Sequence, residues 1–342
     1  MLLEAVIAVL LAPATAQSHF ARGVELRNAG RKIESLREFR RAAELDAAMA
    51  AAHREIGMLL LDRRDFAGAA AAFERAIASN PGDMDSRYNR AMSLANAGRR
   101  TTAIRELKAL LKDKDDWGQA WFGLGHVYAR AGRTNEAERA FRKSIMLDPG
   151  LFRAHFELGR LLDGKGDREG AMEAFAAGVK LAPDSMPARF RLATLLQRAG
   201  RREEAAHHFA VVRELRDRRQ RGEQAALAYQ QGLKYLEAGD NVPAIRELKR
   251  AVKLRPDFPE SRIALGEAYE HSGDLAAAIA EFQRVLELAP SAEIANHAGV
   301  LLAKSGRIDE SIQAFRRALE IDPNFANADK NLKQALQIQK RR

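Results

Sequence analysis

Three groups of residues in this sequence have the types that could do chemistry. The first is WFGLGHVYARAG, residues 121–132, where Gly123 and Gly125 are spaced like the start of a phosphate-cradling loop. Such a loop needs GxGxxG between a buried strand and a helix, so that backbone N–H groups can close on a pyrophosphate. Tyr128 stands where the third glycine belongs, and the upstream KDKDDWGQA is too charged for a buried strand. The second is DGKGD, residues 163–167, which lacks the GxxxxGK pattern followed by Ser or Thr. The third is the set of eight histidines. His207 and His208 are adjacent, so they point to different faces of a helix and cannot ligate together as an i, i+4 pair does. Neither HExxH nor GxSxG occurs, and the absence of cysteine excludes disulfides, thiolate metal sites and a cysteine nucleophile. The residues spell out no catalytic constellation, cofactor site or metal site, and the expectation is a non-enzyme.

The glycines need another reason, and the elements that carry them supply it. The 342 residues are rich in Ala, Arg, Leu and Glu, with 30% charged and 6% aromatic, a composition that suits helices. The net charge of +10 comes from 56 basic against 46 acidic residues spread along the whole chain, a mixture that marks solvated helix faces more than a nucleic-acid stripe. Steps of 34 from Gly125 reach Gly159, Gly57 and Gly23. Phe39, Phe73, Phe141, Phe175 and Phe209 follow the same step, as do Ala69, Ala103, Ala137, Ala171 and Ala205, and Pro81, Pro149 and Pro183 share one place in the frame. A fixed period of this length is the sign of a repeat array. Positions 121, 124, 125 and 128 share one helix face by their i, i+3, i+4, i+7 spacing. Gly132, Gly166, Gly200, Gly239, Gly273 and Gly306 fall where a first helix ends in a left-handed residue. Gly125 and Ala137 are read as small because paired helices cross closely there; Gly123, one residue off that face, is read as incidental.

Trp121, Leu124, Gly125, Tyr128, Ala137, Phe141 and Pro149 together reproduce W-x2-L-G-x2-Y, then A-x3-F, then P. On these residues the chain resembles the tetratricopeptide repeat family over residues 17–342. The resemblance implies an all-α, right-handed superhelix of helical hairpins. Nine repeats are expected, starting near residues 16, 50, 84, 118, 152, 186, 225, 259 and 292. A capping helix over 326–342 follows, with apolar Leu332, Leu336 and Ile338. The third repeat departs most, with Arg87, Ala91, Leu107 and Asp115 in place of tryptophan, glycine, phenylalanine and proline. The seventh starts 39 residues after the sixth. An extended helix is therefore expected through RELRDRRQRGEQ, dividing six repeats at 17–219 from three at 225–325 by an extension at 220–224. His19, His53 and His155 fall at the tryptophan position and are read as packing substitutes.

Function then has to lie on a surface. In the family the first helices line a concave groove, and the residue one past the tryptophan faces inward. Those positions hold Phe20, Arg54, Tyr88, Phe122, Phe156, Phe190, Tyr229, Ile263 and Asn296. The five aromatics from Tyr88 to Tyr229 are consecutive, and aromatics are favoured interface anchors; they are equally the residues that fill repeat cores. His126, Arg160, Arg130 and Arg198 lie further along the face and would suit an acidic or C-terminal carboxylate partner. The basic-and-asparagine clamp of chaperone-tail binders and the asparagine ladder of sugar-transferring relatives are both absent. The expected function is a scaffold for a protein or peptide partner, with a cytoplasmic adaptor or co-chaperone-like scaffold as the alternative, and nucleic-acid binding or a regulatory subunit of an enzyme as weaker rivals. Residues 1–16, MLLEAVIAVLLAPATA, carry an apolar run and small residues at 14 and 16, the pattern of an export signal, although Glu4 and the lack of Lys or Arg depart from it. The other reading is an apolar helix packed on the next element. An exported chain would work in a periplasm or envelope.

Overall fold

The computed structural model describes residues 15–341; of the expected export segment, residues 1–14 lie outside the described residues. Among the described residues there are eighteen helices and no strand. They run as hairpins: α1 (Ala16–Asn28) with α2 (Lys32–Leu45), α3 (Ala50–Asp62) with α4 (Phe66–Ser79), α5 (Met84–Asn96) with α6 (Arg100–Asp113) and α7 (Gly118–Arg130) with α8 (Thr134–Leu147). Next come α9 (Phe152–Lys165) with α10 (Arg168–Leu181), α11 (Met186–Arg198), and the long α12 (Arg202–Glu237). The chain ends with α13 (Asn241–Leu254), α14 (Pro259–His271), α15 (Leu275–Leu288), α16 (Ala292–Lys304), α17 (Ile308–Ile321) and α18 (Ala326–Arg341). Eight of the nine expected repeat starts fall at helix N-termini, and the ninth lies inside α12.

The chain divides into two compact units after Val211, within α12. In the first, a core runs from Ala70 to Ala205, beside a smaller one around Leu36, Phe39, Ile56 and Phe73. In the second, Ala244, Leu248 and Leu265 begin a series of small clusters, and the last is closed by Leu332, Ala335 and Leu336 of α18 against Ile308 and Phe315. Within each unit, hairpins bury one face by stacking on the next, as a repeat array must.

One contact recurs in every hairpin. A small residue on the first helix meets a large one sixteen residues later on the second. The pairs are Gly23 with Phe39, Gly57 with Phe73, Gly125 with Phe141, Gly159 with Phe175, Gly266 with Phe282 and Gly299 with Phe315, and a Cβ added at any of these glycines would sit within 2.6–2.9 Å of the ring. Gly232 meets Leu248 in the same way. The third hairpin exchanges both partners: Ala91 and Leu107 are each fully buried. The sixth changes only one, to Ala193, and its Phe209 is left partly buried where the other phenylalanines are sealed. Ala69, Ala103, Ala137 and Ala171 are fully buried at their common register.

The turns between paired helices repeat equally closely. Gly30, Gly98, Gly132, Gly166, Gly200, Gly239, Gly273 and Gly306 all have positive φ, 74° to 87°. At the equivalent place in the second hairpin stands Arg64, at φ 60°. A side chain in the left-handed region costs about 1–2 kcal/mol, offset in part by the greater freedom glycine loses on folding. Arg64→Gly is therefore expected to raise stability by about 0.5–1 kcal/mol, read as a higher midpoint in urea; an unchanged or lower midpoint would contradict this account of the turn. Seven of the nine second helices among the described residues then start in one of two ways, while those that follow Arg99 and Asp240 use neither. Asp65, Asp167 and Asp274 accept the backbone N–H three residues on. Elsewhere an arginine grips a glutamate three residues on, as in Arg31–Glu34, Arg133–Glu136, Arg201–Glu204 and Arg307–Glu310.

Candidate functional site

The tryptophan position has a role beyond packing. Trp121 donates its indole N–H to the carbonyl of Asp115. In the same register His53 and His155 place Nε2 on the carbonyls of Ala47 and Pro149, and Arg189 and Arg262 donate Nε–H to those of Pro183 and Pro256. Each acceptor lies six residues upstream, in the connection that ends the preceding helix. In these five repeats Trp, His and Arg make the same bond through a side-chain N–H. A carbonyl only accepts, so the two histidines carry their proton on Nε2. His19 instead reaches Glu38 at 2.6 Å.

The aromatic row is not a uniform surface. Phe122 is 6% exposed and its ring lies 5.9 Å from that of Phe141, so it belongs to the core and is not an open anchor. Phe156 is half-buried, stacked on Phe152 and edge-on to Phe175. Tyr88 packs against Trp117, and its hydroxyl lies beside the Gln119 amide. Tyr229 meets Phe258 edge-on. Phe190 alone of these is broadly open, at 50% exposure. It stands edge-on to Phe209, which is itself only partly buried.

Gly123 is not incidental. It is buried, and a Cβ there would come within 2.8 Å of the Tyr88 ring and 3.1 Å of Met92 sulfur. It lets the fourth hairpin approach the third, a constraint invisible within one repeat.

The basic residues of the same face are mostly engaged. Arg160 pairs with Glu157 at 3.0 Å, and Arg130 donates to the Asn96 side chain. Arg54 faces Asp83. Burial pushes the His126 imidazole below its ordinary 6.5; Glu157 opposes this, while Arg130, Arg153 and Arg160 reinforce it. His126 is therefore a neutral group at pH 7 rather than one of the cations. The sign of the linkage follows: below about pH 6.5 the unfolded chain binds a proton that the folded chain takes up less readily, so stability falls with pH. His126→Gln is expected to flatten that part of the profile, measured by urea unfolding at about pH 7.5 and about pH 5.5; an unchanged slope would contradict the assignment.

Two of the clefts among the described residues open on the first-helix face of the first unit. One, of about 390 Å³ near Arg27, Lys32, Met58 and Asp62, is crossed by the Arg27–Glu55 and Lys32–Asp62 ion pairs. The other, of about 440 Å³, is lined by Asp163, Pro187, Phe190, Arg191, Thr194, Leu195 and Arg198. It brings together Phe190 and Arg198 from the expected groove set. Arg191 and Asp163 stand 3.9 Å apart at its edge, and Arg198 has no ion-pair partner among the described residues. No group of three or more His, Cys, Asp or Glu among the described residues could hold a metal ion. No helix among them is long and apolar enough to cross a membrane.

Helical hairpins stacked through a small-to-large contact, turned by left-handed glycines and presenting a face of first helices, define an all-α repeat protein. The chain belongs to the tetratricopeptide repeat family: tetratricopeptide repeat models match residues 20–84 and 229–293, 60–125, 118–151 and 292–325, and 152–185. Its relatives include small glutamine-rich tetratricopeptide repeat-containing protein 2 of Mycosarcoma maydis, 31% identical over 104 residues, 30% of each chain. The peroxisomal targeting signal receptor of Saccharomyces cerevisiae is 34% identical over 86 residues, 25% of this chain and 14% of that one. DnaJ homolog subfamily C member 3 of Homo sapiens is 29% identical over 97 residues, 28% of this chain and 19% of that one. The chain thus spans less than a third of the length of these relatives. Among solved structures, MamA 41-end from Desulfovibrio magneticus RS-1 is 20% identical, with a TM-score of 0.46 over 50% of this chain and 96% of that one. The P58(IPK) TPR domain is 17% identical, with a TM-score of 0.34 over 95% of this chain and 98% of that one.

Proposed function

We propose that the protein is a non-enzymatic interaction scaffold, and that its partner segment is held on the first-helix face around Phe190. The observation that carries this reading is the cleft in which a half-exposed phenylalanine lies beside Arg198 and the Thr194 hydroxyl. An apolar side chain of a partner would cover the Phe190 ring, and a carboxylate, either acidic or C-terminal, would meet Arg198 through charge-assisted hydrogen bonds. A relative named as a receptor for a targeting signal is in keeping with such a role. The test is crosslinking capture from the native cell with the parent chain and with Phe190→Ala. Loss of a captured protein in the variant supports the cleft; the same captured set in both overturns it.

We further propose that the scaffold works in a bacterial-type envelope, on the pattern of residues 1–16. Cleavage after Ala16 would remove Thr15, whose side chain caps α1 in a reciprocal pair with Ser18, so the processed α1 would lose about 1 kcal/mol at its start. N-terminal sequencing of the isolated protein decides the matter: a start at Gln17 supports export, and a start at Met1 favours the cytoplasmic adaptor.

A further inference from the structure

The second-helix side of the first unit carries a cleft of a different character. It holds about 500 Å³ between α6 and α8 over α7, with Leu111, Trp121, Leu124, Tyr128 and Ala140 as its floor. Its walls carry Lys108 and Lys112 on α6 and Arg139 and Lys143 on α8. None of these four cations has an ion-pair partner among the described residues, and the lining carboxylate, Glu136, is held by Arg133 at 2.7 Å.

The repeat provides its own comparison. The cleft recurs 68 residues earlier, at about 330 Å³, where Arg40 and Arg75 remain but Glu44 replaces Lys112, Ala43 replaces Leu111 and Ala71 replaces Arg139. At the step between them the space is bridged: Arg90, in the register of Leu124, spans Glu74 and Glu106 at 3.1 and 2.7 Å. The fold makes room at this place in the hairpin stack. The residues of the third and fourth hairpins leave that room open, apolar at the bottom and cationic on both sides.

We propose that this cleft is a second docking site and that its occupant is an acidic amphipathic helix of another protein. The two cations on each wall are four residues apart and so lie one above the other, one helical turn apart. Their counterpart is a helix with an apolar stripe for the floor and carboxylates at i, i+4 on both flanks of that stripe. A bilayer surface fits less well, because the apolar atoms lie below the cations and a flat sheet of headgroups would not reach them.

The test uses the purified full chain and a labelled synthetic helix of about 18 residues, with Leu on one face and Glu on both flanks. Fluorescence anisotropy reports binding, and tryptophan emission reports its place, since Trp121 is one of only two tryptophans. Saturable binding is expected, with at least a tenfold loss in Lys112→Glu/Lys143→Glu and no loss in Arg40→Glu/Arg75→Glu, the same charge change at the related cleft. A peptide of equal charge with Ser in place of Leu is expected to bind at least tenfold more weakly. No binding, an equal loss in both variants, or equal binding of the Ser peptide would overturn the proposal. So would Lys112- and Lys143-dependent capture by phosphatidylglycerol vesicles without binding of the helix.

Discussion

Gly125→Leu will lower the stability of the chain by about 1–3 kcal/mol, and Phe141→Ala will lower it by about 3–5 kcal/mol. The two together will cost less than their sum. A Cβ at position 125 would sit 2.7 Å from two carbons of the Phe141 ring, well inside van der Waals contact. Neither helix can withdraw freely, because Leu124, Tyr128 and Ala137 beside the contact are buried as well. Removing the ring empties a fully sealed site, while a side chain entering from the other helix refills part of it. The protein already contains that exchange at Ala91 and Leu107, both fully buried. Urea unfolding gives the sums, and amide exchange in α7 and α8 places the effect, since an array loses stability hairpin by hairpin. Strictly additive losses would mean that the two positions do not share one contact.

Phe190→Ala and Phe122→Ala will separate binding from folding. Both residues stand one past the tryptophan register, so their sequence context is the same. Phe122 is sealed against Phe141, and its truncation is expected to cost about 3–5 kcal/mol. Phe190 loses only its edge-on contact with Phe209, about 0.5–1.5 kcal/mol, yet its loss should weaken partner binding at least tenfold, as removal of a central aromatic does. Thermal unfolding of each variant beside its capture of the crosslinked partner gives the comparison. Equal destabilisation of the two variants, with binding retained by Phe190→Ala, would return the whole aromatic row to packing.

The repeat and its helix starts were legible in the sequence because one constraint, the crossing of paired helices, recurs at intervals close to 34 residues and marks the same residue types in most hairpins. Six of the eight left-handed glycines among the described residues were read for the same reason; Gly30 and Gly98 were not. What escaped was set between hairpins or by exceptions. Gly123 faces Tyr88 of the preceding hairpin, so its smallness answers to a residue 35 positions away. The openness of Phe190, beside a Phe209 that is only partly buried, is such an exception. His53 and His155 were read as packing substitutes for tryptophan, and they share with Trp121 a hydrogen bond to the upstream carbonyl. Its signal was present, in that both residue types carry a side-chain N–H, but packing alone did not ask for one. His126 and Arg160 were grouped as cations by position, whereas burial neutralises the first and Glu157 occupies the second.

The central claim is that a partner segment lies on the first-helix face at Phe190. The most direct measurement replaces Phe190 by a photoreactive phenylalanine analogue in the full chain, irradiates the native cell and identifies what is joined to it. The account predicts one predominant protein crosslink, lost when Arg198→Glu is added. Crosslinks that persist unchanged with Arg198→Glu, or none at position 190 while the same probe at an exposed second-helix position captures a partner, would contradict it.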